Sequence, residues 1–373
     1  MKMRVLHVID HLGYGGAPLV VKGLVEAMPA ERIESVVCAL RPNPRPIDIR
    51  AKVVTLECHK YSPAAIRIVP RLCAEHGIDI VHAHLQKAVM STLLATRAGA
   101  HPLIVHEHGP IFRGGTGCIY RAFLRRWGRR AQTIVANSDA AALAMRRVLS
   151  CDDVPVIVVP NSVDLERFDP ARYERAAIRS RLGLNESEFA IGFIGRLDRA
   201  KGADLLVDAA GQLQEQGESC RILLFGQGGQ RKVLERQVHD AGLEQIVTFA
   251  GLTENPAEIM RAFDVAVVPS RREAFGIAAL EWMRMRVPVI VSSVGGLPEL
   301  VRNGRTGVVL PELTAQAIAK AIQSLRTDPS LRTTLAQAAF DRAGAFGIER
   351  PVAQIVDIYE KIMHPQEDQA RHV

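Results

Sequence analysis

No Cys-x-x-Cys occurs in the 373 residues, and the six cysteines, Cys38, Cys58, Cys73, Cys118, Cys151 and Cys220, are scattered. That excludes a zinc ribbon or a disulfide frame and fits a reducing cytosol. No apolar run reaches the ~18 residues that a membrane span needs. The start, MKMRVLHVID, runs directly into a strand pattern without a signal-peptide core, so a cytoplasmic protein is expected. Asp-x-Asp is absent throughout, which removes one common way of holding a metal-bound nucleotide diphosphate. G-x-G-x-x-G and a Walker Lys-Ser/Thr are also missing, as are short repeats and low-complexity tracts. No RNA-binding motif or helix-turn-helix is visible, so no nucleic-acid partner is expected.

What the chain does have is alternation. Apolar, β-branched runs at 5–9, 35–40, 52–56, 78–84, 103–109, 133–136 and 154–159 are separated by helical patterns. A second series follows at 190–195, 221–225, 246–249, 265–268, 287–291 and 308–310. Strand–helix alternation implies an α/β fold with parallel sheets covered on both faces, here two doubly wound domains in tandem. Residues 1–170 form the first, 189–350 the second, and the charged, strand-poor stretch 171–188 is expected to link them. Helices are expected at 331–346 and 351–363, and the polar tail from 365 is expected to be loose. Ligands of such sheets sit at the carboxyl ends of strands, where the unusual polar clusters of this chain fall.

Charge is uneven. Residues 1–180 carry 25 Lys and Arg against 16 Asp and Glu, and the remainder 22 against 24. The basic half favours an anionic partner such as a membrane surface or a phosphorylated acceptor.

The most informative stretch is 271–289, RREAFGIAALEWMRMRVPV, which reads as turn, helix and strand after the apolar run 265–270. It carries Glu273 and Glu281, eight residues apart. If the helix includes Glu273, the two carboxylates share a broad face about two turns, roughly 12 Å, apart. That spacing suits opposite ends of one elongated ligand rather than a proton-sharing pair. If the helix starts after Glu273, at Phe275-Gly276, free backbone N–H groups also point at the ligand. A surface helix with two solvated acids is the plainer reading, and the neighbours weigh against it. In GRLDRAKG (195–202) the cations Arg196 and Lys201 sit in a turn opening a helix, which suits a diphosphate. Glycine turns recur at 226–229, 295–296 and 304–307, so the rim of this domain is shaped for close backbone contact with a ligand.

In the first domain, HLGYGGA (11–17) joins a strand to a helix as a phosphate cradle or as a plain tight turn. His82/His84 and His106/His108 are spaced so that each pair shares a strand face. They could ligate a metal, but satisfied core histidines are the expected outcome for some of the four, with His108 placed in a cleft. Residues 112–130 mix six arginines with apolar and aromatic residues. They read either as a basic amphipathic helix at an anionic membrane or as an ordinary helix with solvated arginines.

Taken together, VLHVIDHLGYGGA, DIVHAH, VHEHG, IVANS, VPNSVD, IGFIGRLDRAKG, FGQGG, VTFAGL, VVPSRREAFGIAALEWMRMRVPVI and GGLPELV resemble, in order and spacing, the retaining nucleotide-sugar-dependent glycosyltransferases of family 4, which have the GT-B fold. The resemblance implies two Rossmann-like domains facing a central cleft, with acceptor on the first and sugar nucleotide on the second. It also implies that helix 351–363 crosses back to the first domain. By position, Arg196 and Lys201 would neutralise the donor diphosphate, Glu281 would bind the ribose and Glu273 the sugar hydroxyls. The backbone at Phe275, Gly276 and Ile277 would lie against sugar or phosphate, with Gly226 at the same rim. Gly15 and Gly16 would close over the phosphates and His108 would lie beside the reacting sugar. Many relatives carry Glu after Gly-Gly-Ala, where this chain has Pro18. The implied activity is transfer from a UDP-sugar, or alternatively GDP-mannose, to a glycan or lipid-linked acceptor of cell-envelope polysaccharide at the inner membrane. The alternatives are a soluble small acceptor such as an aminocyclitol, or a nucleotide-sugar 2-epimerase. No cofactor and no metal are expected.

Overall fold

The computed structural model describes residues 2–13, 15–57, 63–96, 101–109, 116–150 and 153–365. The expected tail after 365 and residues 112–115 of the basic stretch lie outside them. The chain divides into two compact units, one of residues up to Ser162 together with those from Ile348 onward, the other Val163–Gly347.

The first unit runs β1 (Met3–Ile9), α1 (Gly16–Ala27), β2 (Ile33–Ala39), β3 (Lys52–Thr55), α2 (Ala64–His76), β4 (Ile80–His84), α3 (Gln86–Ala95), β5 (Leu103–Glu107), α4 (Thr116–Trp127), β6 (Thr133–Ala136), α5 (Asp139–Leu149) and β7 (Val156–Val158). Its seven strands are parallel, in the order β3-β2-β1-β4-β5-β6-β7. The second unit runs α6 (Arg175–Arg181), β8 (Ala190–Ile194), α7 (Ala203–Glu215), β9 (Arg221–Phe225), α8 (Arg231–Asp240), β10 (Val247–Gly251), α9 (Pro256–Met260), β11 (Val265–Val268), α10 (Ile277–Arg284), β12 (Val289–Val291), α11 (Leu297–Leu300), β13 (Val308–Val309), α12 (Ala315–Thr327) and α13 (Pro329–Gly344). Its six strands are also parallel, in the order β10-β9-β8-β11-β12-β13. Both orders reverse direction after the first strand of the unit, the arrangement of doubly wound nucleotide-binding sheets. The last helix, α14 (Glu349–Met363), belongs to the first unit, where Val352, Ile355 and Tyr359 pack with Val5, Ile80 and Ile104.

The period of two explains why the strands read as continuous apolar runs. In β11, Val265 and Val267 enter one core of the second unit and Ala266 and Val268 the other. Gly192 in β8 is required by this packing. A Cβ there would stand 2.5 Å from the buried Trp282 ring and 2.9 Å from Phe263.

Residues 171–188 do not form a free linker. Ile178 and Leu184 are part of the second unit's core, as are Val163 and Phe168 just before the segment. The guanidinium of Arg179 in α6, 2% exposed, donates to the carbonyls of Ala262, Asn185 and Glu188 and to Asp264. Arg175 holds the other oxygen of Asp264 at 2.8 Å. The segment looked like a linker because its apolar residues are few; buried guanidinium bonds do the anchoring instead. Among the described residues no helix is long and apolar enough to cross a membrane.

Replacing Arg179 with Met should destabilise the second unit by about 3 kcal/mol or more, because buried acceptors lose a charged donor. Denaturant unfolding followed by Trp282 fluorescence would measure it; a shift under 1 kcal/mol would contradict this anchoring.

Candidate active site

The carboxyl ends of β8, β9, β11 and β12 carry the candidate groups of the second unit. α10 begins at Ile277 with Gly276, φ +102°, at its N-cap, so Glu273 lies in the loop before the helix. This decides between the two readings of that stretch: the acids do not share a helix face, and the first N–H groups of α10 have no intrahelical partner. Glu281 is in α10, partly exposed. Desolvation raises its carboxyl to about 7, with Arg167 pulling the other way.

Glu273 is tightly held. Its Oε2 accepts from Lys201 Nζ at 2.7 Å, and its Oε1 accepts from the Ala274 N–H at 3.2 Å. Lys201 stands immediately before Gly202, the N-cap of α7, so a cation and a helix N-terminus converge there. Arg196 is largely exposed, its guanidinium 3.0 Å from Asp198. Backbone contacts fix the loops around this pair. Gly226, φ +146°, lies so close to the loop after β8 that a Cβ would meet the Gly195 carbonyl oxygen at 1.9 Å. Gly295, φ +56°, lies equally close to the Glu273 carbonyl, with 1.7 Å to a Cβ. Arg271 clamps both oxygens of Asp204 at 2.6 Å, tying the loop after β11 to α7. Phe275 is buried, edge-on to Phe346 at 6.0 Å between centroids.

In the first unit, Gly15 and Gly16 are exposed at the start of α1. Pro18 sits in the first turn of α1, where its missing N–H would have had no helical partner. His108 lies just past β5, partly exposed, with Nε2 at 2.9 Å from His84 Nδ1. Burial holds it neutral, lowering its imidazole to about 3. Glu107 points to the opposite face. It accepts from Tyr120 Oη at 3.0 Å and from the Gly109 N–H at 3.1 Å, and desolvation raises it to about 7.

Two features were missed in the sequence. One is the Lys201–Glu273 pair, joining residues 72 apart. The other is His7, which stands beside His82 in the sheet register and joins the histidine pairs in one buried group. Its signal was only its place in β1, on the same face as the alternating His82 and His84.

The basic stretch resolves toward the ordinary helix. In α4, Tyr120 and Leu124 are buried, and Phe123 and Trp127 pack against the core. Arg126 and Arg130 lie over the Trp127 ring at 4.4 and 4.2 Å. Ile119 is the large apolar side chain of α4 that is exposed.

Two Rossmann-like parallel-sheet units in tandem are the architecture of the GT-B fold. The profile described as Glycosyltransferase Family 4 matches residues 14–167, and that described as Glycosyl transferases group 1 matches residues 174–342. Alpha-D-kanosaminyltransferase of Streptomyces kanamyceticus is 29% identical over 299 residues, 76% of this chain and 77% of that protein. D-inositol 3-phosphate glycosyltransferase of Nocardiopsis dassonvillei is 30% identical over 308 residues, 77% of this chain and 71% of that protein. Among solved structures, sucrose-phosphate synthase from Thermosynechococcus elongatus superposes with a TM-score of 0.86 at 22% identity, covering 98% of this chain and 100% of that one. Anabaena HepE in complex with UDP and glucose gives 0.82 at 23% identity, covering 96% and 100%. The chain belongs to glycosyltransferase family 4.

Glu281 links the site to pH. Its folded pKa, about 7, lies above its ordinary 4.5, so between those values the native state binds more protons than the unfolded chain. Stability therefore falls as pH rises through that window. Glu281→Gln should flatten this fall, being more stable than the parent at pH 8 and no more stable near pH 4.5. Thermal melts of ligand-free protein across pH 4.5–8 would test it, and parallel curves would count against a desolvated Glu281.

Proposed function

We propose that the protein transfers a sugar from a nucleoside diphosphate sugar to an acceptor hydroxyl, with retention of anomeric configuration and without a metal ion. The observation that carries this reading is the Lys201–Glu273 pair at the N-terminus of α7, beside the open N-terminus of α10. Departure of the nucleoside diphosphate develops negative charge, which Lys201, Arg196 and the two helix N-termini stabilise. Lys201 is shared between Glu273 and the phosphate. Glu273 stays oriented by that bond and takes hydroxyls of the donor sugar, and Glu281 takes the ribose hydroxyls. Gly226 admits the nucleotide, and the backbone at Phe275, Gly276 and Ile277 lies against sugar and phosphate. In the first unit, Gly15 and Gly16 at the start of α1 and His108 just past β5 are that unit's candidate substrate contacts.

Retaining glycosidases, which work by double displacement, use two carboxyls ~5–5.5 Å apart. Glu273 is committed to Lys201, and Glu281 belongs to a different element, so same-face attack is the better reading. The acceptor oxygen bonds to the anomeric carbon as the carbon–phosphate-oxygen bond breaks, and the acceptor proton goes to an oxygen of the leaving diphosphate. The fold likeness to HepE, whose solved structures hold UDP and UDP-glucose, supports a UDP-sugar over GDP-mannose.

A glycan or lipid-linked acceptor was expected from the resemblance, with residues 112–130 as a membrane contact. Tyr120, Phe123, Leu124 and Trp127 of α4 are spent on the core, which favours a soluble, small polyhydroxylated acceptor instead. The relatives named for a kanosaminyl group and for D-inositol 3-phosphate support the same choice, and the basic first half suits a phosphorylated molecule. A 2-epimerase would convert the donor with no acceptor present.

A thermal-shift screen should find stabilisation by a UDP-sugar, and mass spectrometry of products should then show a glycosylated small cyclitol or sugar. Glu281→Ala should weaken donor binding roughly 10- to 100-fold and leave the saturated rate near normal, whereas Glu273→Ala should mainly slow transfer by a similar factor. Absence of stabilisation by any sugar nucleotide, or equal loss of donor affinity in both variants, would overturn this assignment. A product of inverted configuration would remove retention alone.

A further inference from the structure

The first unit carries a group that the transfer reading leaves unused beyond His108. Alternation along β1, β4 and β5 sends Leu6, Val8, Val81, Ala83, Leu103 and Val105 to one core. On the opposite face the aliphatic residues Val5, Ile80 and Ile104 give way to His7, His82, His84 and His106, all at most 1% exposed. His7 is registered with His82, and His84 with His106. His108 continues the row, stacked on His106 at 4.1 Å. Burying polar nitrogens costs free energy unless they are partnered, and an orphan is worth about 1–3 kcal/mol. Here His106 has neither ring nitrogen partnered among the described residues, and His7 Nε2, His82 Nε2 and His108 Nδ1 are also unpartnered.

We propose that His84, His106 and His108 form a binding site for a zinc-class divalent transition ion. One nitrogen from each lies within 4.8 Å of the other two. His84 Nδ1 and His108 Nε2 face each other at 2.9 Å. Imidazoles on one tetrahedral zinc, with Zn–N of 2.0–2.1 Å, stand about 3.4 Å apart, so opening that hydrogen bond by about half an ångström seats an ion between them. His106 supplies the third ligand by turning out of its stack on His108, which breaks no hydrogen bond of its ring, leaving a fourth position open. The outer contacts fit as well. With Nδ1 on the ion, His84 carries its proton on Nε2, which is 3.1 Å from His7 Nδ1 and donates to it. Such a second bond on a ligating imidazole orients the ring and raises its basicity. The alternative trio His7, His82 and His84 is fully buried, and His82 Nδ1 is engaged by Tyr359 Oη at 2.6 Å. The chosen trio has the partly exposed His108, and its His106 also lines a small cavity with Val20, Asn161 and Pro351. An all-imidazole set selects zinc, cobalt, nickel or copper over magnesium and calcium. This site stands on the first unit alone and shares only His108 with the transfer reading; the metal titration is run without donor, so the two fail separately.

Untagged, full-length protein freed of metal with a chelator would be titrated with Co2+ in the absence of donor. The expected result is one equivalent bound with the intense visible bands of a four-coordinate site, displaced by Zn2+ and unaffected by excess Mg2+. X-ray absorption of the zinc form should count three imidazoles. His106→Phe should lower affinity on the order of 100-fold or more, and His7→Phe about 10- to 100-fold. No binding by folded parent protein, or a bound ion with fewer than two imidazoles, would overturn the proposal. So would undiminished binding in folded His106→Phe, which would place the ion elsewhere. If that variant does not fold, the ligand count on the parent protein decides.

Discussion

The rim of the second unit depends on backbone approaching backbone more closely than any side chain allows. Parallel strands deliver all their carboxyl-end loops to one edge, where each must pack against the next. The loop after β9 reaches the loop after β8 at Gly226, and the loop after β12 reaches the backbone of Glu273 at Gly295. These two contacts, with the Arg271–Asp204 clamp, set where the loop of Glu273 runs. Lys201 then sets where its carboxylate points. A charged group in a loop is thereby given the fixed orientation that a helix would otherwise supply.

Burial acts differently on the two units. In the second, guanidinium groups are taken inside together with their acceptors, as with Arg179 and Asp264, and the charge remains compensated. In the first, a row of imidazoles is taken inside without counter-charges. Desolvation lowers their affinity for protons, so they remain neutral, and a neutral imidazole is both tolerable in a core and competent as a ligand. Glu107 and Glu281 meet the same desolvation with the opposite sign, both raised to about 7.

Much of the fold was legible because its signals are local. A strand buried on both faces is mostly apolar along its length, so Val265–Val268 and Val289–Val291 announced themselves. Glycine turns at strand ends were legible for a similar reason: Gly226 and Gly295 adopt positive φ, which few other residues tolerate. The linker expected at 171–188 failed because Arg179 looks like a surface residue until its acceptors, on distant segments, are known. The membrane reading of 112–130 drew on an amphipathic pattern that is the same whether the apolar face meets lipid or a neighbouring core; for the described part, α4, it meets the core. The start of α10 was left open because Glu273 could precede or join the helix. Gly276 at the N-cap decides it.

The sequence by itself determined the two α/β series, the edge at which chemistry collects and the residue types present there, because periodicity and turn chemistry act over a few neighbouring residues. Tertiary structure alone decided that Lys201 and Glu273 form a pair, that Arg179 is an interior anchor, and that His7, His82, His84, His106 and His108 form one buried group. Those outcomes rest on strand order and register, which place residues tens of positions apart side by side, and no local pattern carries that information.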